Sequence, residues 1–377
     1  MTYRPKWITS LVGDLRLWRP YYHCKHCHHG IWSWDDMLGL STQRLTPAAQ
    51  QIVTLVGIGN SFGKAADRVL QKTSGLRLSE STVERTTEAA GDRLGDRLEQ
   101  GDVFGPTKDW DWHKDAQGQS CAYISVDATG IMMQGPNAAK ADARMVNVGM
   151  IFNPQPRSVQ DNDLCKPCDG VRYLAGLYSL EELGLLMPRQ GAQVGMNRVD
   201  NWIALTDAGN GPDHFMEVNF PRAVRIVDFR HASEYVHDLA KVYVADNAPV
   251  LAERWCHQLK HEGGASLLAE FQRLDRDQMT PTVQEQYDKT CTYVINHRAR
   301  MDYPTYLANG WQIGSGAVES GCKTVINQRR NMGDMRWGKT GSDAVCHLRA
   351  LFCSAPDQWD AFWEKPRPAK PQNDMAV

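Results

Sequence analysis

The spacing of apolar residues changes several times along the chain, and each change marks an element. Apolar runs with alternating or continuous patterns, bounded by turn residues, predict strands at "CAYISVDATGIMM", "ARMVNVGMIFNP", "NWIALTD" and "AVRIVDF". Helical spacing predicts three short helices earlier, at "TPAAQQIVTLVGIG", "SFGKAADRVLQKTSG" and "SESTVERTTEAAGDRL". Thr46 and Ser61 stand where N-caps belong, and Gly75 stands where a C-cap would end the second helix. "YLAGLYSLEELGLLM" reads as a helix, a short helix precedes Pro221, and 230–300 is mostly helical. A strand-rich block followed by strand, helix and strand predicts an α/β fold with a mixed sheet.

Three helices with a tight turn between the last two have the helix-turn-helix layout. On that reading "LSESTVERTTEAAG" is the recognition helix, with Ser81, Thr82, Glu84 and Arg85 near its N-terminal end; an ordinary helical bundle fits the same spacing. Residues 1–44, rich in aromatics, His and Cys, read as a small β-rich module. The helical domain spans 45–105, "FGPTKDWDWHKDAQGQS" reads as a linker, the α/β domain spans 119–365, and 366–377 reads as a disordered tail.

At 377 residues the chain has room for two or three domains with cores of their own. Its apolar runs fall short of the roughly 20 residues a membrane span needs, and "MTYRPKWITS" lacks the apolar stretch of a secretory signal. The expectation is a cytoplasmic protein with no membrane partner. Ten cysteines then read as reduced thiols. The formal net charge of −2 conceals an uneven distribution: between Asn296 and Ala350 there are eight Lys and Arg against four acids. Such a local excess suggests contact with a polyanion, because affinity follows local phosphate neutralisation.

Carboxylates at strand ends supply the candidate chemistry. Asp127 follows "AYISV" and Asp207 follows "WIAL". Each alone reads equally well as a loop-opening or capping residue. If their strands lie side by side and parallel, as in sheets of the ribonuclease H type, the two carboxylates converge and need a third acid. Glu319, alone among the small residues of "IGSGAVESGCK", is the candidate. At helical spacing Glu319, Lys323, Ile326 and Arg330 share one stripe, so the acid would face metal ions and the basic residues a phosphate backbone. The plainer alternative is a Glu that complements the helix dipole and pairs with Lys323. Three carboxylates favour Mg²⁺ or Mn²⁺ over zinc, and two such ions suit phosphoryl transfer.

Over roughly residues 12–365 the chain resembles the DDE transposases of bacterial insertion sequences, specifically the ISKra-type family with its Mutator-like relatives. The resemblance is carried by "LRLWRPYYHCKHC", "VDATG", "ALTDAG", "FPRAVRIVDFRHASEYV", "IGSGAVESGCKTVINQRRNMGDMRW" and "HLRALFCS". It implies a ribonuclease H-like fold with a helical insertion at about 232–305, and Asp127, Asp207 and Glu319 as the metal-binding catalytic triad. "DFRH" matches the family's (C/D)xxH element, which nominates Asp228 and His231 as auxiliary residues. Asp228 also ends an apolar strand and competes with Asp207 for the second position. His231 reads otherwise as one half of a structural hydrogen bond to an Asp.

The pattern departs at the front, where residues 1–23 hold no cysteine. With Cys24 and Cys27 alone, a zinc ion would have to borrow His23, His28, His29 or a distant pair such as Cys165 and Cys168, and a metal-free remnant of a zinc ribbon is the plainer reading. "CKHCH" also has the spacing of a haem attachment, a chemistry of exported proteins. The expected activity is metal-dependent cleavage and strand transfer at the terminal inverted repeats of double-stranded DNA, with at least a dimer holding the two ends. Lys323, Arg329, Arg330 and Arg336 are expected to hold phosphates and Trp337 to stack on a base, a core position being its plainer reading. Two alternatives stay open: a DNA-binding protein without catalysis, and a ribonuclease H-like nuclease without strand transfer.

Overall fold

The computed structural model describes residues 2–40, 44–135, 139, 142–156, 164, 167–330, 335–354 and 357–364, apart from the side chains of residues 36, 330 and 357. The tail expected to be disordered, and Cys165, lie outside these residues.

The fold is α/β. Strands β1 (Thr2–Ser10), β2 (Gly13–His23) and β3 (Gly30–Ile31) form a small antiparallel sheet. Five more strands form the central sheet: β4 (Cys121–Met132), β5 (Ala143–Pro154), β6 (Cys168–Gly176), β7 (Asn201–Thr206) and β8 (Val224–Val227). Their order is β6-β5-β4-β7-β8. β5 runs antiparallel to β4 and to β6, whereas β7 is parallel to β4 and to β8, so the sheet is mixed.

Alternation along β4 gives each face of the sheet its own core. Cys121 and Tyr123 point into a cluster with Ile203, Leu205 and the buried residues of helices Phe229–Tyr243, Ala248–Phe271 and Pro281–His297. Ala122, Ile124 and Val126 point the other way, against helices Leu180–Gln193 and Lys339–Cys353. A strand buried on both faces must be apolar at successive positions, and β4 runs that way from Cys121 to Val126, with only Ser125 polar.

One expected helix divides. Within "YLAGLYSLEELGLLM", Tyr173–Gly176 belongs to β6, and the helix starts only at Leu180. Ser179 caps it with a full capping box: its Oγ accepts from the Glu182 N–H, and the Glu182 carboxylate accepts from the Ser179 N–H. The apolar run is continuous across the strand and the cap, so periodicity alone could not divide it.

The early helices form where expected. Thr46 and Ser61 each accept a backbone N–H at 3.4 Å, and Gly75 closes its helix at φ +71°, a left-handed conformation that glycine adopts without strain. Helices Pro47–Gly59, 62–74 and Glu80–Glu99 enclose a small core of Ala49, Val53, Leu70 and Val83. The bundle is not separate from the sheet. The second half of helix Glu80–Glu99 puts Ala90, Leu94 and Leu98 into the sheet core, and Gly91 lies so close to helix Lys339–Cys353 that a Cβ there would stand 2.4 Å from Ala344 Cα. The Trp-rich linker is likewise pinned, with Trp112 buried and its indole N–H donating to the Val194 carbonyl at 3.1 Å.

Candidate active site

The pairing of β4 with β7 ends at Ser125 and Leu205, and Asp127 and Asp207 each lie two residues further on. Two acids therefore stand at the same level of adjacent parallel strands: Asp207 lies just past the end of β7, whereas Asp127 lies inside β4, which continues along β5 to Met132, a correction to its expected place at a strand end. Asp127 is half-buried; its Oδ1 accepts the Ala128 N–H at 2.7 Å, and its Oδ2 accepts the Cys322 thiol at 3.5 Å. Burial pushes the Asp127 carboxyl above the ordinary carboxylate range, and the neighbouring charge of Asp207 adds to that; the Ala128 and Cys322 hydrogen bonds and the nearby His231 act in the opposite direction. Asp207 opens the turn after β7, where its Oδ1 accepts the Gly209 N–H at 3.2 Å.

Asp228 occupies the equivalent position after β8, but its surroundings differ. It is fully buried, and it accepts backbone N–H groups from Ser315 at 2.8 Å, Arg230 at 3.2 Å and His231 at 3.1 Å. A carboxylate has about four acceptor sites; three are filled by main chain. Asp228 thereby caps helix Phe229–Tyr243 and ties it to the loop before Glu319. His231 keeps its ring half-exposed, with Nε2 4.0 Å from Asp228 Oδ2 and Nδ1 3.5 Å from Glu234.

Glu319 lies in the first turns of the helix 316–330. Its Oε1 accepts the Ser315 hydroxyl at 3.0 Å, and its Oε2 meets Arg230 at 3.1 Å. Among the described residues, Asp228, His231 and Glu319 form a group whose ligand-type atoms all lie within 4.8 Å of one another. Asp127 and Asp207 fall outside that group. The link between the two halves is Cys322, one turn after Glu319: it donates to Asp127, and burial followed by the Asp127 charge pushes its thiol well up. Cys322, Arg230 and Ser315 were all missed as site residues. The position of Cys322 and Ser315, one turn either side of Glu319, was the signal that could have found them; Arg230 lay inside "DFRH" without distinguishing itself from any surface arginine.

The expected stripe along the Glu319 helix does not form. Residues Cys322–Asn327 make a π-helical turn, which accommodates an extra residue and rotates the remainder of the helix. Lys323 is exposed, while Ile326 is fully buried.

The expected phosphate contacts divide as well. Lys323 and Arg336 are exposed, and the Arg330 side chain lies outside the described residues. Arg329 is buried, a correction to its reading as a phosphate contact: Nε donates to the Gly57 carbonyl at 3.0 Å, and its guanidinium lies 4.8 Å from the Phe62 and Trp337 rings. Trp337 is buried in the same stack, so the plainer reading of that residue holds. Arg349 completes the arrangement, donating to Val325 at 2.6 Å and to Ile58 at 2.8 Å. Two arginines of the basic segment thus satisfy carbonyls at the end of helix Pro47–Gly59, groups a helix terminus otherwise leaves without partners, and Arg300 is spent on Asp213. The local positive charge is partly structural.

At the N-terminal module, Cys24 and Cys27 are exposed in a tight turn, with the Cys27 N–H donating to the Cys24 sulfur at 3.5 Å. That contact, with other hydrogen bonds from Cys27 and His26, lowers the Cys24 pKa. In comparisons with known proteins, no family model and no curated protein matches the chain. No helix among the described residues is long and apolar enough to cross a membrane.

Proposed function

We propose that the chain is a DDE-type transposase: a metal-dependent enzyme that cleaves and joins DNA strands, built on a ribonuclease H-like sheet. The observation that carries this reading is the placement of Asp127 and Asp207 level with one another on parallel neighbours, with the Glu319 helix held against Asp127 through Cys322. The strand order, with β4 central and β5 and β6 folding back antiparallel, supports the fold assignment.

The carboxylates fit a hard divalent cation. They offer oxygen donors only, the set Mg²⁺ and Mn²⁺ take, and Asp127 carries a charge that burial and Asp207 both oppose, which a cation would compensate. Asp127, Asp207 and Glu319 would hold two ions. Bound there, such ions activate an attacking oxygen and stabilise a leaving one. The chain's own groups do the rest: Asp228 fixes the loop that presents Glu319, Ser315 orients its carboxylate, and Lys323 and Arg336 supply exposed positive charge for phosphates. Asp207 is the better second acid because Asp228 is enclosed and spends its oxygens on three N–H donors. Zinc at Cys24 and Cys27 is part of the same proposal for the N-terminal module, as is a dimer that holds both DNA ends.

The test is cleavage of labelled duplex carrying the inverted repeats that flank the coding region, with Mg²⁺. Asp127→Asn, Asp207→Asn and Glu319→Gln should each abolish cleavage while leaving DNA binding intact. Full activity in Asp127→Asn removes the triad, and nicking without joined product leaves a nuclease.

A further inference from the structure

The β1–β2 hairpin has two unlike faces. One is anchored: Ile8 is buried, and Lys6 and Arg19 both pair with the buried Asp35. The other is not. The register opposes Trp7 to Arg16 and Tyr3 to Pro20, which puts Tyr3, Trp7, Arg16, Trp18 and Tyr22 on one side. The four aromatics there are 43–60% exposed, an amount that separates them from the partly buried aromatics of the interior. Arg16 lies over both indoles, 6.0 Å from the Trp7 ring and 4.8 Å from the Trp18 ring.

This face leads into a groove. Thr9, on the same side of β1, bonds through its N–H to the Arg44 carbonyl at 2.7 Å, which docks the hairpin onto the helical bundle. Between them runs a groove of about 610 Å³ lined by Thr9, Arg44, Thr82, Arg85 and Thr86 with Leu45, Leu78 and Ala89, and among the described residues no carboxylate lines it. The face's own acid, Asp14, accepts the Thr9 hydroxyl at 2.7 Å. Helix Glu80–Glu99 therefore presents hydroxyls and Arg85 here, whereas its acids Glu80, Glu84 and Glu88 line a different groove beside Arg336 and Trp337. The charge that phosphates need and the rings that bases need are next to one another, with Asp14, the acid of that face, engaged by Thr9.

We propose that this hairpin face and groove bind an unpaired nucleic-acid strand, its bases stacked on Trp7 and Trp18 and its phosphates passing between Arg44 and Arg85. Aromatic faces accept any base, and a guanidinium-lined groove tracks the backbone; a duplex keeps its base faces stacked inside and cannot use the rings in this way. The inference rests on the reading of the chain as a nucleic-acid enzyme but not on its catalytic acids.

The test uses the full chain in EDTA, with a labelled 12-nucleotide oligothymidine and a duplex of the same length, read by anisotropy and by tryptophan fluorescence. Single-strand binding that quenches fluorescence more than the duplex does is expected, at a salt slope of roughly −1.4 for the two phosphate contacts at Arg44 and Arg85. Trp7→Ala with Trp18→Ala should weaken it at least tenfold, Trp7→Phe should retain most of it, and Arg44→Ala with Arg85→Ala should flatten the slope by roughly 1.4. All four positions are exposed, so folding is preserved, which the thermal midpoint checks. Asp127→Asn should bind as the wild type does, so loss of cleavage and loss of this site are separate results. A double Trp variant that weakens duplex and single-strand binding alike, or that leaves the single-strand affinity unchanged, overturns the proposal. So does a dimer that becomes a monomer in that variant without any strand binding, which would put a second copy on the face.

Discussion

Replacing Arg329 with alanine separates two accounts of the basic segment. If the residue holds phosphate, the variant loses DNA affinity and keeps its stability. The structure requires the opposite. Arg329 donates from Nε to the Gly57 carbonyl and lies between the Phe62 and Trp337 rings. A hydrogen bond from a charged donor is worth about 1.5–3 kcal/mol, and each desolvated ring contact adds about 1–2 kcal/mol. Relief of the cation's own desolvation returns several kcal/mol of that sum, which leaves a net loss of about 2–4 kcal/mol, including the cavity. Urea unfolding reads it as a lower midpoint. Arg329→Lys should recover only part of the loss, because an ammonium has no planar face to lay against a ring and does not reach the carbonyl with a fixed N–H. A change in stability below about 0.5 kcal/mol, together with a DNA-binding salt slope reduced by about 1, would restore the phosphate reading and refute the clamp.

Three further outcomes are expected from the same geometry. Because burial raises the folded pKa of Asp127, this carboxyl takes up a proton on folding at pH values between its unfolded and folded pKa; its contribution to the stability of the metal-free protein is fully present below the unfolded value near 3.9 and is lost as pH rises through the folded value. Asp127→Asn should remove that decline, so identical pH dependence of the two thermal midpoints would contradict it; for the same reason, divalent-ion affinity of the wild type should fall on acidification at a pH above the usual carboxylate range. Arg230→Ala removes the cation paired with Glu319, and Mn²⁺ titration calorimetry should then show binding about 1.4- to fivefold tighter, the equivalent of the ~0.2–1 kcal/mol of an exposed pair; weaker binding would count against Glu319 as a ligand. Gly91→Val places side-chain atoms within 2.4 Å of the Ala344 backbone and should cost about 1–3 kcal/mol by forcing the two helices apart; an unchanged thermal midpoint would mean that the helices are not so close.

Sequence pattern carried the strands of the central sheet as far as they were apolar and bounded by turns, and the early helices as far as capping chemistry marked them. Both are local properties. The division of the run around Tyr173 was hidden because β6 and the next helix are joined by apolar residues, and only the Ser179 cap separates them. The acids at Asp127 and Asp207 were legible because a charge that closes an apolar run stands out, although β4 runs on past Asp127 to Met132, and the parallel pairing of their strands bears out the condition set for their convergence. Arg329 was not legible. A buried and an exposed arginine look the same along a sequence, and its burial depends on Phe62 and Gly57, more than 260 residues away along the chain. The π-helical turn was equally invisible, since nothing in the spacing of Cys322, Val325 and Ile326, all buried in one cluster with β4 and β5, marks it.

The helix that carries Glu319 is held at both ends, at its start by the sheet and near its far end by the helical bundle. Before it, Asp228 receives the Ser315 N–H, so the start is fixed to the end of β8. Near its far end, Arg329 reaches the Gly57 carbonyl, and Arg349 holds Val325 and Ile58 together, so that end is fixed to the helical bundle. The widened turn at Cys322–Asn327 lies between the two anchors, and a wide turn is where a helix can take up a difference in length or rotation. Its first residue, Cys322, is the one that touches Asp127. The position of Glu319 relative to Asp127 is therefore a property of how the helical bundle sits on the sheet as much as of the sheet itself. That accounts for two buried arginines in a segment where surface charge alone would have been served by exposed lysines.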